Sequence, residues 1–382
     1  MNVVIWVIPK KGWKLNCILA LVLIVSVGFL VWPVSGASKG SLLLSRLAGV
    51  QTGDAYDVYV DGEIAYVTCG YSGLKVFNVS DPSNPFEIAH MPSDLVGGQQ
   101  AYAHQLFMSD NLLYIGDGRG GLKILDCTTP TSPEALCQYS GHYAWDVEVE
   151  GDVAFVSNGF MGIGDRLTIV NVTNSTSPAL IKSYVLSGDG TDLELVDDLV
   201  FVTTGETGFI VLDVSNHSNP IQVGQYVGES VSSAGVGDLE IVGDFAFLSY
   251  WGHSLEVLDI SDMSDIGLVT RFDESSSGFS VYVERERDLA FLCDFEIGLV
   301  MLNISDPTQL TEITRYVDGG KPCRIHIVDN IVYMTDQDNG FVILEIREIH
   351  LPGFGIEIII LALGVVVIIV LGVWVRQRRM VA

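Results

Sequence analysis

Apolar and polar residues alternate in short runs along most of the chain. Residues Asp57–Val60 alternate, Asp61-Gly62 interrupts, and Ile64–Thr68 is again largely apolar. Cys69–Ser72 makes a second break, followed by the run Leu74–Val79. Ser80–Pro85 is a Pro/Asn/Asp loop, and Phe86–His90 is a fourth run. Alternation with period two predicts strands, and the Gly, Asp and Pro punctuation predicts hairpins between them. The form returns at Val147–Val149, Val153–Ser157, Leu167–Val172 and Leu180–Tyr184, with Ser177-Pro178 in the last connection. Proline there removes no ladder hydrogen bond.

A ten-residue unit marks each repetition. It reads GLKVFNVSDP from Gly73, GLKILDCTTP from Gly121, RLTIVNVTNS from Arg166 and GFIVLDVSNH from Gly208. It continues as SLEVLDISDM from Ser254, GLVMLNISDP from Gly298 and GFVILEIREI from Gly340. The intervals are 48, 45, 42, 46, 44 and 42 residues. A period near 44 built from short strands is that of four-stranded propeller blades. The predicted fold is therefore all-β, a seven-bladed β-propeller over residues 41–349. Unit seven lacks a fourth run after Leu344-Glu345-Ile346, whereas Leu42–Leu47 looks like the fourth run Leu180–Tyr184. The N-terminal strand is expected to complete the last blade, because an open blade exposes unpaired strand edges.

The repeated ILD, IVN, VLD and ILE cores, followed by S-D-P or S-N-P, resemble the LVIVD-repeat β-propellers. The resemblance spans residues 41–349 and implies the fold. It implies little about function.

Both ends carry a different pattern. Lys10, Lys11 and Lys14 precede an uncharged run to Trp32 and then Ser35-Gly36-Ala37. Residues 1–37 read as a signal peptide, or as a retained signal anchor. Residues 355–375 form an apolar run long enough to cross a bilayer, and Arg376, Arg378 and Arg379 follow. This predicts a transmembrane helix with a cytoplasmic basic tail at 376–382 and the propeller outside a single-pass cell membrane. Pro352-Gly353-Phe354, in the linker 350–354, resembles the PGF-CTERM sorting signal of archaeal surface proteins. That resemblance implies removal of the helix by an archaeosortase and its replacement by lipid; a plain anchor is the alternative.

Charge narrows the partners. The whole chain carries a net −27, with 48% apolar and 18% charged residues, which excludes a disordered polymer. Residues 41–349 hold 13 basic and 46 acidic residues. Nucleic acid and anionic lipid headgroups need a basic face, so neither suits this body. An extracellular protein or a carbohydrate is the expected partner.

The connections between strands two and three, and from each blade to the next, share one face, here called the top. They vary in length, and variable loops on a rigid scaffold are where function concentrates. The candidate binding residues are Tyr102, His104, Asp117, Arg119, His142, Phe160 and Trp251. Aromatic faces with a few polar groups suit a sugar or peptide. Arg119 has Asp117 as its local partner or takes an anionic ligand such as a uronate. Asp57, Asp146, Asp192 and Asp238 share one repeat position, which Gln105, Ser280 and Arg324 fill in the other blades. They either ring the channel around a cation or take backbone N–H groups in their own turns, the second being favoured. Asp336–Gly340 has the look of a calcium loop but has Arg347 where the closing glutamate belongs, so a hairpin turn is expected. Cys127 and Cys137 are candidates for a disulfide across their hairpin. Asn174 and Asn216 are the better glycosylation acceptors.

No nucleophile elbow, metalloprotease helix or phosphate loop occurs. No catalytic residue, metal site or cofactor is assigned, and a structural cation such as calcium is left open. The preferred reading is a surface binding or scaffold module. An extracellular hydrolase or lyase is the alternative, to be recognised by perturbed carboxylates and histidines in one deep pocket.

Overall fold

The structure, a computed structural model, describes residues 41–159, 165–205, 208–228, 235–250, 255–275 and 277–349. These form seven four-stranded antiparallel sheets and one two-stranded hairpin. Blade one comprises Asp57–Asp61, Ile64–Thr68, Leu74–Asn78 and Phe86–Met91. In blade seven, Pro322–Val328, Ile331–Asp336 and Gly340–Ile349 are completed by Ser41–Val50, which lies beside Gly340–Ile349. The N-terminal strand closes the ring, as the missing fourth run predicts. The first strands touch in cyclic order, blade one against blade two and onward until blade seven meets blade one.

The core lies between blades. Seven apolar clusters fill the seven interfaces, one of them joining Leu44 to Phe291, Val342 and Leu344. The middle of every second strand is aromatic: Tyr66, Tyr114, Phe155, Phe201, Phe247, Phe291 and Tyr333. All seven are buried. A large flat side chain at that point fills the space between stacked sheets that a smaller residue leaves empty.

A hydroxyl two residues after most of these aromatics fastens blade to blade. Thr68 Oγ1 accepts the Asp57 N–H at 3.0 Å and donates to the His104 carbonyl at 2.5 Å. Thr335 Oγ1 accepts from Arg324 N–H and donates to the Tyr56 carbonyl, both at 3.0 Å. Ser249 Oγ donates to the Phe279 carbonyl at 2.9 Å. Each bond to a carbonyl leads from one blade to the entry of the next blade's first strand. It also satisfies a buried backbone carbonyl, which is costly to leave unpaired.

The Asp/Asn-x-Ser/Thr signature at the end of strand three is a turn device. Asp126, Asn171, Asp213, Asp259 and Asn303 each accept the N–H two residues on, at 2.8 to 3.1 Å. Such Asx turns start the connection to strand four without calling on the backbone ladder. In six blades the pairing of strands three and four also carries a bulge, as at Ile124/Leu125. Bulges increase the local twist, which outer strands need to wrap a propeller.

Candidate functional site

The connection Pro92–Ala103 crosses the top from blade one to blade two. It contains the small hairpin Leu95–Val96 and Gln99–Gln100. Gln100 Nε2 donates to the Tyr71 carbonyl at 2.7 Å, and Ser93 Oγ to that of Gly70 at 3.0 Å. Asp94 reaches Lys123 at 2.7 Å, and the lysine side chain is almost wholly buried. A charge-assisted bond to a buried lysine fixes the segment firmly.

This segment delivers Tyr102 into an aromatic cluster. Its ring lies against Gly70, whose φ of 50° and absent Cβ are both required; a Cβ would stand 2.8 Å from the Tyr102 ring. The Tyr102 hydroxyl donates to the Tyr56 hydroxyl at 2.8 Å. Tyr102 meets Tyr56 and Tyr71 edge-on, with ring centres 5.3 and 4.4 Å apart. His104 stacks on Trp145 at 4.0 Å, and its Nε2 is 2.8 Å from the Tyr143 hydroxyl. Edge-to-face and offset rings of this kind hold one another in place.

His104 is 4% exposed, and burial lowers its pKa to about 3. It is a neutral brace beneath the cluster and not a surface contact. Burial raises the Tyr143 phenol to about 12, against the opposing charge of Arg119. What reaches solvent is Tyr71, 58% exposed, with the half-buried Tyr56, Tyr102, Tyr143 and Trp145 around it.

The other sequence candidates separate. Asp117 is buried and accepts from Gln138 Nε2 at 2.9 Å. Burial raises its pKa to about 7, with Lys123 opposing. It is not the partner of Arg119, because its carboxylate turns inward. Arg119 is exposed and forms no ion pair among the described residues. His142 is half-buried, its pKa lowered by burial and then by Arg166. Phe160 and Trp251 lie outside the described residues, as do the sorting triplet and both terminal segments. No described helix is long and apolar enough to cross a membrane.

Cys127 and Cys137 are both free, correcting the expected disulfide. Strand register decides it: Cys137 stands opposite Ile124, with Cys127 beyond the end of its strand. Asn174 and Asn216 are exposed, but each side-chain oxygen already accepts bonds from the residue two further on. The Asp336 carboxylate accepts from Asp338 and Asn339 N–H at 2.8 and 2.7 Å, so that run is a hairpin turn.

The central channel is the second notable region. Asp57 and Asp146 each bond the next N–H through Oδ1, as a local turn would. Their Oδ2 atoms do something the repeat position alone does not disclose. They accept from Leu106 and Leu193 of the following blades, both at 2.9 Å. Asp192 and Asp238 likewise accept from Leu239 and Val281 at 2.9 Å. Arg324 crosses from blade seven to Asp192 and Asp238, at 2.5 Å each, and Gln105 Nε2 donates to Asp192 at 2.7 Å. The cation in the ring of carboxylates is thus the protein's own.

One layer below stand Glu148, Glu194 and Glu240, two residues after three of these aspartates. Glu148 and Glu194 accept Leu195 and Ile241 N–H at 2.7 and 2.5 Å. Burial, then neighbouring carboxylates, push these glutamates up to about 8, 9 and 8. Asp146 rises to about 7, chiefly through burial, with Arg324 opposing. Burial works against the charge on Arg324, and the surrounding aspartates more than offset it. These residues line a cavity of about 180 Å³. Sequence reasoning missed the glutamate layer and the role of Arg324; the signal was the shared i, i+2 spacing in blades three to five.

Seven closed blades and a top-face aromatic cluster define a β-propeller with a surface suited to binding. The sequence profile of the LVIVD repeat matches residues 52–91, 100–140, 141–185, 187–227, 235–274, 288–318 and 319–347, and the chain belongs to that family. No curated protein matches the chain. Among solved structures, the computationally designed Ika8 protein is similar in fold, with a TM-score of 0.55 and 15% identity. The match covers 77% of this chain and 83% of that one.

Proposed function

We propose that this propeller is a cell-surface-anchored binding or scaffold module that takes an extracellular protein or glycan on the top of blades one to three. The observation that supports this reading is the rigidly braced tyrosine cluster, open to solvent at Tyr71. Aromatic rings held in one arrangement offer contact area at little entropic cost. The apolar terminal segments and the PGF triplet support anchoring, with the propeller outside the cell. The hydrolase or lyase reading draws on the raised carboxylates of the channel. Yet those aspartates and glutamates give oxygens to backbone N–H groups of the next blade, which makes them fasteners. The test is a glycan array and a surface-protein pull-down with the full chain in detergent. Binding lost in Tyr71→Ala supports the reading; retained binding in that variant rejects the site.

A further inference from the structure

The distribution of unpaired cations deepens the reading above, on which this inference rests. Thirteen basic residues lie between 41 and 349. Ten of them have a carboxylate within 4 Å. The other three, Arg119, Arg166 and Lys182, form no ion pair among the described residues, and all belong to blades two and three. On a body where acids outnumber bases more than threefold, pairing is the default. Its absence in one sector leaves positive charge beside the aromatic cluster.

Backbone pairing places two of the three arginines and lysines next to the tyrosines. Gly118 bridges Ala144, Ala144 pairs with Asn158, and Asn158 pairs with Arg166. Arg119 follows Gly118 directly. A Cβ on Gly118 would be 3.2 Å from both Tyr102 and Tyr143, so this turn abuts the cluster. Asn158 Nδ2 donates to the Tyr143 carbonyl at 3.1 Å, which ties the far end of the row to the same tyrosine. Three strand spacings separate Gly118 from Arg166, about 14 Å. Tyr143 and His142 therefore sit between two arginines.

The acidic neighbours are otherwise engaged. Asp117 faces Gln138, Asp94 faces Lys123, and Asp165 shares a hydrogen bond with Asp189. Among the described residues Arg166 makes a long bond to Ser183 Oγ, at 3.4 Å. Both guanidinium groups keep their forked donor sets for a planar anion.

The geometry points to an anionic saccharide, a chain of uronic acid units, as the ligand of this face. Its sugar rings lie on Tyr71 and Tyr143, and its carboxylates pair with Arg119 and Arg166. Flat rings with hydroxyl rims suit a polyhydroxylated chain, and a separation of about 14 Å between the arginine positions suits carboxylates a few sugar units apart rather than adjacent ones. A neutral glycan would leave both arginines unused.

The test titrates the full chain in detergent with an oligogalacturonate and with its methyl ester. The acid should bind at least about tenfold more tightly than the ester. Arg119→Gln and Arg166→Gln should each weaken it at least about tenfold, the change expected for loss of a charged hydrogen bond. Arg315→Gln, a cation paired with Glu312 on blade six, should change nothing. Tyr71→Ala should weaken acid and ester alike. Equal binding of acid and ester, lost in Tyr71→Ala but unchanged in both arginine variants, overturns the anionic ligand and leaves the top-face reading standing. Binding of poly-glutamate through Arg119 with no binding of the oligogalacturonate also overturns it, in favour of an acidic protein. Ester and acid binding that survives Tyr71→Ala removes the top-face reading itself.

Discussion

The channel and the top face of blades one to three are built from the same repeat, yet they use polar groups in opposite ways. In the channel, charge is buried and satisfied internally: aspartate and glutamate oxygens meet N–H groups of the next blade, and Arg324 bridges two carboxylates. On the top face the buried polar group, His104, supports half-buried rings, and two nearby arginines form no ion pair among the described residues. Satisfied networks make a ring rigid. Unsatisfied charge beside exposed aromatic area makes a ring receptive. Both rows arise at the entry to strand one, where His104 and Gln105 are neighbours in the chain but face different tasks.

The largest effect should come from removing the strand that closes the ring. Deleting residues 41–50 takes Leu44 from its cluster and opens blade seven, the blade that carries Arg324. A loss of several kcal/mol is expected, seen as a fall of about 10 °C or more in melting temperature. Unchanged melting would mean that the channel does not depend on closure.

Arg324→Met comes next. It leaves Asp192 and Asp238 buried without their cation, which should cost about 3–5 kcal/mol in urea unfolding. The affinity of the top face should hardly change, since the substitution touches only the channel. Parallel losses of stability and binding would show that the two regions are one unit.

A smaller effect separates them by pH. Glu148, Glu194 and Glu240 have folded-state pKa values raised from 4.5 to about 8, 9 and 8. A raised carboxylate binds more protons folded than unfolded, so its contribution is full at low pH and lost as pH rises toward 9. Melting temperature should therefore fall from pH 5 to pH 9. Glu194→Gln, which keeps an oxygen for the Ile241 N–H, should flatten that slope. An unaltered slope would assign the pH dependence elsewhere.

The smallest stability effect belongs to the top face. Tyr71→Ala removes a ring that is mostly in solvent and should shift stability by less than about 0.5 kcal/mol. A larger loss in thermal unfolding would make Tyr71 part of the core and weaken the contrast between the regions.

Much of this molecule was legible in its sequence because the repeat reports local physics many times over. Alternation, turn residues and the missing fourth run after Ile346 were enough to place seven blades and the closing strand, since each depends on near neighbours in the chain. The candidate site was legible in part. Tyr102 and Arg119 drew attention because long insertions and rare cations are visible in one dimension, and the structure places the first in the aromatic cluster and leaves the second exposed. The burial of His104 and of Asp117, which the sequence offered as surface candidates, was not legible, because burial and side-chain direction depend on what the next blade places above them. The pairing of Cys127 with Cys137 failed on strand register, which a hairpin's residue spacing does not determine.

The sequence by itself determined the fold class, the blade count, the acidic surface and the way the ring closes. Those follow from short-range pattern repeated with a constant period. Only the tertiary structure decided that Asp57 and Asp146 fasten neighbouring blades, that Arg324 reaches two carboxylates of the channel, and that Arg119 and Arg166 form no ion pair among the described residues. The first two are contacts between residues tens to more than a hundred positions apart. Curving seven sheets around one axis brings such residues together, and no local pattern encodes that meeting.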